Sequence, residues 1–231
     1  MNKEEVQQFY KENEPVLPPF YKWKHFRFKD MDNVWHKCPR INNAKKLQNF
    51  LIKYPSTNVY YSCGNYLNPH YLGNRYSKKQ FKNKCKKEHK DNWKEYYRNN
   101  KWKVLLNNFY MSSDFIIDMD NETKEQAFIL YNHLHNLFPD KDIDMAETGR
   151  GFHIAVRKLI TSDPSLNPIQ NEFRDIEIRK KLISNLKQDG FSFDYKVSES
   201  PRQIFRCLNT MHQSGKVITF TESMEGYALS Q

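Results

Sequence analysis

The chain has 231 residues, with 37 Lys and Arg against 27 Asp and Glu, giving a formal net charge of +10. This length is enough to bury a real core as one compact domain, residues 1–231. No run is long and apolar enough to cross a bilayer as a helix, and no membrane partner is expected. The four cysteines, Cys38, Cys63, Cys85 and Cys207, include no Cys-x-x-Cys pair and follow no apolar signal segment, so reduced thiols in a cytoplasmic protein are expected, or in a nuclear one if the cell is eukaryotic.

In chain order, the pattern predicts a helix over Lys3 to Glu12, broken by Pro15, Pro18 and Pro19. A second helix is expected over Asn43 to Tyr54, and a strand over Val59 to Ser62. The stretch from Arg75 to Lys103 holds twelve Lys or Arg against three acids, nearly the whole charge surplus, and reads as a basic helical insertion interleaved with Phe81, Trp93, Tyr97 and Trp102. Such a segment can attract backbone phosphates and stack on unpaired bases; equally, its rings can pack the helices down while the lysines stay in water. Cys85 and His89 have helical i, i+4 spacing, and His36, Cys38, Cys63 and His70 offer further ligands. They form no compact four-ligand set, so zinc is not expected.

The most strand-like run is Ser113 to Asp120. Side chains alternate along a strand, so Asp118 and Asp120 share one face while Phe115, Ile117 and Met119 take the other. Two carboxylates on a rigid strand suit hard cations, Mg²⁺ or Mn²⁺, and a pair of ions roughly 3.5–4 Å apart is a geometry for phosphoryl or nucleotidyl transfer. Asn121 is the expected N-cap of a helix with Ala127, Leu130, Leu134 and Leu137 as its apolar stripe, leaving His133 and His135 at the surface.

Glu147 to Val156 leads a Gly-flanked arginine, Gly149-Arg150-Gly151, into a second alternating strand. Phe152, Ile154 and Val156 face one way, His153 and Ala155 the other. The glycines permit positive φ and close backbone approach, and a turn of exposed N–H groups beside Arg150 and His153 suits an anionic phosphate. Leu159 to Pro168 reads as an exposed loop. The helix from Asn171 to Gln188 is expected to bury Phe173, Ile176, Ile183 and Leu186 and to end at Asp189-Gly190. From Phe193 to Thr219 come Asp194, a short strand from Ile204 to Leu208 in which Arg206 points away from Phe205 and Cys207, and then Asn209, His212, Ser214 and Lys216 around Gly215. The order of strand, helix, paired strands, helix and strand is α+β, and there is no internal repeat.

Together, these segments resemble the archaeo-eukaryotic primase superfamily, and specifically the small catalytic subunit of archaeal and eukaryotic DNA primase. That family carries an Asp-x-Asp strand, then a Ser-Gly-x-x-Gly-x-His-like segment, then an aspartate followed by an Arg-bearing strand and a Ser-Leu-His-x-x-(Ser/Thr)-Gly turn. Lys24-His25-Phe26-Arg27-Phe28 is similar to the family's Arg-Glu-Phe-x-Phe segment, and Val59-Tyr60-Tyr61-Ser62, followed by Tyr66 and Pro69, is similar to its Tyr-Tyr-Ser strand. Thr148 stands where the family has Ser, the Gly-Arg-Gly spacing is one residue tighter, and Asn209-Thr210-Met211-His212 replaces Gly/Asn-Ser-Leu-His. Asn121 to Phe138 lacks the cysteines of the family's zinc knuckle.

The resemblance implies an RNA-recognition-motif-like catalytic sheet backed by helices with an additional N-terminal α/β layer. It implies two Mg²⁺ or Mn²⁺ ions on Asp118, Asp120 and Asp194. Arg150, Gly151, His153, Arg206, Asn209, His212, Ser214 and Lys216 would then face the nucleotide triphosphate. The implied activity is template-directed primer synthesis from NTPs or dNTPs on single-stranded DNA, with a primase large subunit or a fused accessory domain as partner. An end-joining or repair polymerase of the same superfamily, a non-catalytic single-strand-binding module and a metal-dependent nuclease are the alternative readings.

Overall fold

A computed structural model describes residues 1–38, 41–67, 69, 75–100, 110–201 and 203–220. The chain is α+β, with two antiparallel sheets. Helix α1 (Lys3–Glu12) starts in a capping box, in which the Asn2 side chain accepts from the Glu5 N–H while Glu5 reaches back to Asn2. Strands β1 (Phe26–Lys29) and β2 (Trp35–Lys37) follow, then α2 (Ala44–Lys53), capped by Asn43, and β3 (Asn58–Ser62). With β8 (Ile204–Arg206) from the far end of the chain, these strands form a sheet in the order β2-β1-β3-β8. Alternation sets its inner face: Phe26, Phe28, Val59, Tyr61 and Phe205 bury against Val6 and Tyr10 of α1 and Leu47 and Leu51 of α2.

The second sheet runs β4-β5-β7-β6-β9. It contains β4 (Gly64–Tyr66), β5 (Tyr110–Asp120), β6 (Ile143–Glu147), β7 (Gly151–Thr161) and β9 (Thr219–Phe220). Helix α5 (Lys124–Leu137) follows β5, and α6 (Pro168–Gln188) follows β7. On the face of β5 and β7 carrying Phe115, Ile117, Met119, Phe152, Ile154 and Val156, these helices pack Leu130, Leu134, Ile183 and Leu186. Each such Leu or Ile contributes about 1.5–3 kcal/mol relative to exposure. The other face is different. Its Ile116 and Ala155 enter the core of the first sheet, so the faces of β5 and β7 expected from the sequence are the ones observed.

One residue, Cys63, separates β3 from β4 and carries the chain between the sheets. Beside it lies a buried charge network. Asp114 of β5 accepts from Lys24 Nζ at 2.8 Å and Arg157 at 2.9 Å, Arg157 Nε also reaches Asp144 at 2.6 Å, and Lys24 and Asp114 are fully enclosed. Burial alone would raise the Asp114 carboxyl, but the two cations overcome it and hold it below its ordinary range. A second network joins Arg179 of α6 to Asp175 at 2.6 Å, to Ser113 and to the carbonyl of Ser198.

Several boundaries depart from the sequence expectation. Thr123, not Asn121, caps α5, in a capping box with Gln126, while Asn121 takes a left-handed φ of 65°. Leu137 is exposed. In α6 the inward positions of the first turns are Asn171, Asp175 and Arg179, so Phe173, expected inside, is 65% exposed. Strand β7 continues through Thr161, which pairs with Ser112, so the expected loop at Leu159 begins only at Ser162. The basic insertion is helical over α3 (Arg75–His89) and α4 (Trp93–Asn100), joined by a 3-10 turn, and a four-residue helix, α7 (Tyr195–Ser198), precedes β8. Of the residues named above, His70, Trp102 and Lys103 lie outside the described residues.

Candidate functional site

The end of β5 and the start of β7 form the floor. Asp118 pairs with His153, and Asp120 with Gly151. Only glycine fits at 151, because a Cβ there would lie 2.0 Å from the carbonyl oxygen of Met119. His153 Nε2 stands 3.4 Å from Asp118 Oδ1, and its ring meets Phe205 edge-on at 5.4 Å. Even so, Asp118 Oδ1 is enclosed without a hydrogen-bond partner, an arrangement that costs free energy unless a cation supplies the missing contact. Asp120, at the rim, pairs with Arg150 at 3.3 Å. That pair is exposed and therefore weak, leaving Arg150 free to swing to another anion.

The Gly149-Arg150-Gly151 turn is held differently from the sequence expectation. Neither glycine has a positive φ. The N–H groups of Arg150 and Gly151 donate to Thr148 Oγ1, at 3.4 and 3.1 Å, instead of standing free for phosphate. Thr148 therefore organises the turn with the same hydroxyl a serine would bring. Gly149 serves close approach: a Cβ there would lie 2.2 Å from His212 Nδ1, so the imidazole lies directly on the glycine.

His212 belongs to the turn from His212 to Lys216. Its Nδ1 accepts from the Ser214 N–H at 3.1 Å, with Ser214 Oγ at 2.7 Å, which leaves Nε2 to carry the proton of the neutral ring. Burial pushes its pKa below the ordinary 6.5, and the charges of Arg206, Arg150 and Lys216 push the same way against Asp120. Lys216 is exposed beside it. Arg206 projects from the face of β8 opposite Phe205 and Cys207, as alternation requires. It donates to the Thr57 carbonyl at 3.0 Å and lies over the Tyr60 ring at 5.1 Å. Burial lowers its pKa, Tyr60 opposes, and Arg150, Asp118 and Asp120 are all near enough to act on it.

Asp118, Asp120, Arg150, His153, Arg206, His212 and Lys216 thus form one neighbourhood. Two expected members are held otherwise. The Asp194 N–H donates to the Asp118 carbonyl at 2.8 Å, which fixes its backbone beside the floor, but its carboxylate caps α7 by accepting from Val197. Among the described residues no three His, Cys, Asp or Glu side chains stand together to hold a metal ion. Asn209 sits at a left-handed φ of 50° and gives its amide to the Glu14 carbonyl at 2.6 Å, so its side chain ties down the N-terminal segment.

Of the cysteines and histidines considered for zinc, His70 lies outside the described residues, and the four thiols are buried and form no disulfide. His36 pairs with Asp30 and stacks on Tyr54, and His89 stacks on Tyr96. In the α3–α4 hairpin, Lys82 and Lys86 cover Trp93, and Phe81 meets Tyr97, so the described rings of the basic insertion pack within it. No described helix is long and apolar enough to cross a membrane. No protein-family model matches the chain, and no curated protein is significantly similar to it.

Proposed function

We propose that this protein is a template-directed nucleotidyltransferase of the primase-polymerase type, extending or initiating strands on single-stranded DNA. The observation that carries the reading is Asp118. Its enclosed Oδ1 has no hydrogen bond and only the His153 ring beside it at 3.4 Å, it shares a strand face with Asp120, and Arg206 is near enough to act on both carboxylates while Arg150 and Lys216 stand about His212. The β5-α5-β6-β7-α6 order, with β7 between β5 and β6 and both helices on one face, supports a sheet of the RNA-recognition-motif kind.

Asp118 and Asp120 would hold Mg²⁺ or Mn²⁺, which binds through one or two carboxylates plus substrate phosphates and supplies Lewis-acid help to the departing pyrophosphate. Around the phosphates, Arg150 exchanges its exposed contact with Asp120 for the triphosphate. His212 donates through Nε2, while Arg206, fixed by Thr57 and Asn58, and Lys216 add positive charge where negative charge accumulates. His153 orients Asp118.

Asp118→Asn and Asp120→Asn are each expected to reduce Mn²⁺-dependent nucleotide incorporation by about a hundredfold or more, with binding to single-stranded DNA retained. Unchanged incorporation by the double variant would sink the reading. The capping role of the Asp194 carboxylate favours a second reading, a module that binds single strands without chemistry. Binding with no incorporation under any metal, with or without a primer, would support it.

A further inference from the structure

We infer that the outer face of the N-terminal sheet is a track for single-stranded nucleic acid, with Trp35 and Tyr60 stacking on bases and Arg27 and Lys29 taking the backbone phosphates. Strand register places these side chains together. Arg27 pairs with Tyr60, Lys29 with Trp35 and with Asn58, and Tyr60 with Arg206, all on the face opposite Phe26, Phe28 and Val59. Trp35 is 54% exposed, and its ring lies 6.0 Å from that of Tyr60.

The two cations are uncommitted. Arg27 Nε is buried without a hydrogen-bond partner, both side chains are half-buried, and among the described residues neither Arg27 nor Lys29 has a carboxylate partner. The nearest acids along the chain are used elsewhere, Asp30 by His36 and Asp32 by Lys3. Tyr60, by contrast, is held still: its hydroxyl donates to Asn58 Oδ1 at 3.1 Å, and Arg206 lies over its ring. A fixed aromatic face flanked by free cations is the chemistry that binds unpaired nucleotides. A four-stranded sheet face does not enter a duplex major groove, which admits a helix or a two-stranded ribbon. An acidic peptide would use the cations but leave the rings idle.

The track also has a direction. Arg206, at its β8 end, lies within electrostatic reach of Asp118 and Asp120, so a strand stacked on Trp35 and Tyr60 leads to the carboxylates. Its purpose, supplying the template, rests on the nucleotidyl-transfer reading; its chemistry does not.

The test uses the full chain with labelled oligo(dT) and oligo(U), without divalent cation or nucleotide. Trp35→Ala is expected to weaken binding about tenfold. Arg27→Gln is expected to lower the slope of log affinity against log salt by about 0.7. Because a variant can lose binding by unfolding, parent protein is also photo-crosslinked to 5-iodouracil oligonucleotides, with adducts expected on Trp35 or Tyr60 peptides. The track is overturned if both variants bind as the parent does, if adducts map only to the α3–α4 hairpin, or if polyglutamate displaces the oligonucleotide at equal charge. Incorporation that survives alongside any of these results removes the track and leaves the enzyme. Binding mapped to this face without any incorporation removes the enzyme and leaves the track.

Discussion

A single methyl group at position 149 probes how the site is held. The His212 ring occupies the space a side chain would need, so Gly149→Ala forces the imidazole aside without straining the backbone. The expected outcome is about a tenfold rise in the nucleotide KM, the loss of one hydrogen bond of ~1.4 kcal/mol, with the unfolding midpoint little changed. Steady-state kinetics beside a urea titration would check it. The sequence made His212 and Gly149 visible as separate motifs but could not show their contact, because they are distant in the chain and glycine has no side chain to advertise a neighbour. Asp118 and Asp120 were legible because period two is local. The Asp194 carboxylate is taken by the start of α7, and no sequence pattern decides between a metal and a nearby helix end that competes for it.

Among the elements, the helices matched expectation where apolar spacing decides them and departed where polar groups do. Helix α1 has the expected bounds, whereas α5 begins two residues later than Asn121 would place its cap, because Thr123 and Gln126 satisfy each other's N–H groups and Asn121 is spent on a left-handed turn. Thr123→Ala should therefore cost about 1 kcal/mol in urea unfolding. The α6 error has the opposite origin. A buried Asp175–Arg179 pair, spaced i, i+4, takes the inward stripe that Phe173 was expected to fill. Inward-facing charges look like a solvated face in sequence until a partner such as Ser113 or the Ser198 carbonyl is placed opposite.

For the whole molecule, the two sheets are joined by the charge network around Asp114. Lys24→Met would strip the ammonium from Asp114 and from the carbonyls of Ser62 and Cys63, so a loss of about 3–5 kcal/mol is expected, read as a drop in the denaturant midpoint. The α+β class was readable from the order of elements. The closing of the first sheet by β8 was not, since that pairing spans most of the chain. It also sets an order on biosynthesis: a nascent polypeptide released before residue 206 would already hold Asp118, Asp120 and His153, yet would lack the fourth strand of its first sheet. A ribosome that stalls late would therefore release a chain that carries both aspartates but leaves an open seam in its first sheet, a target for proteases.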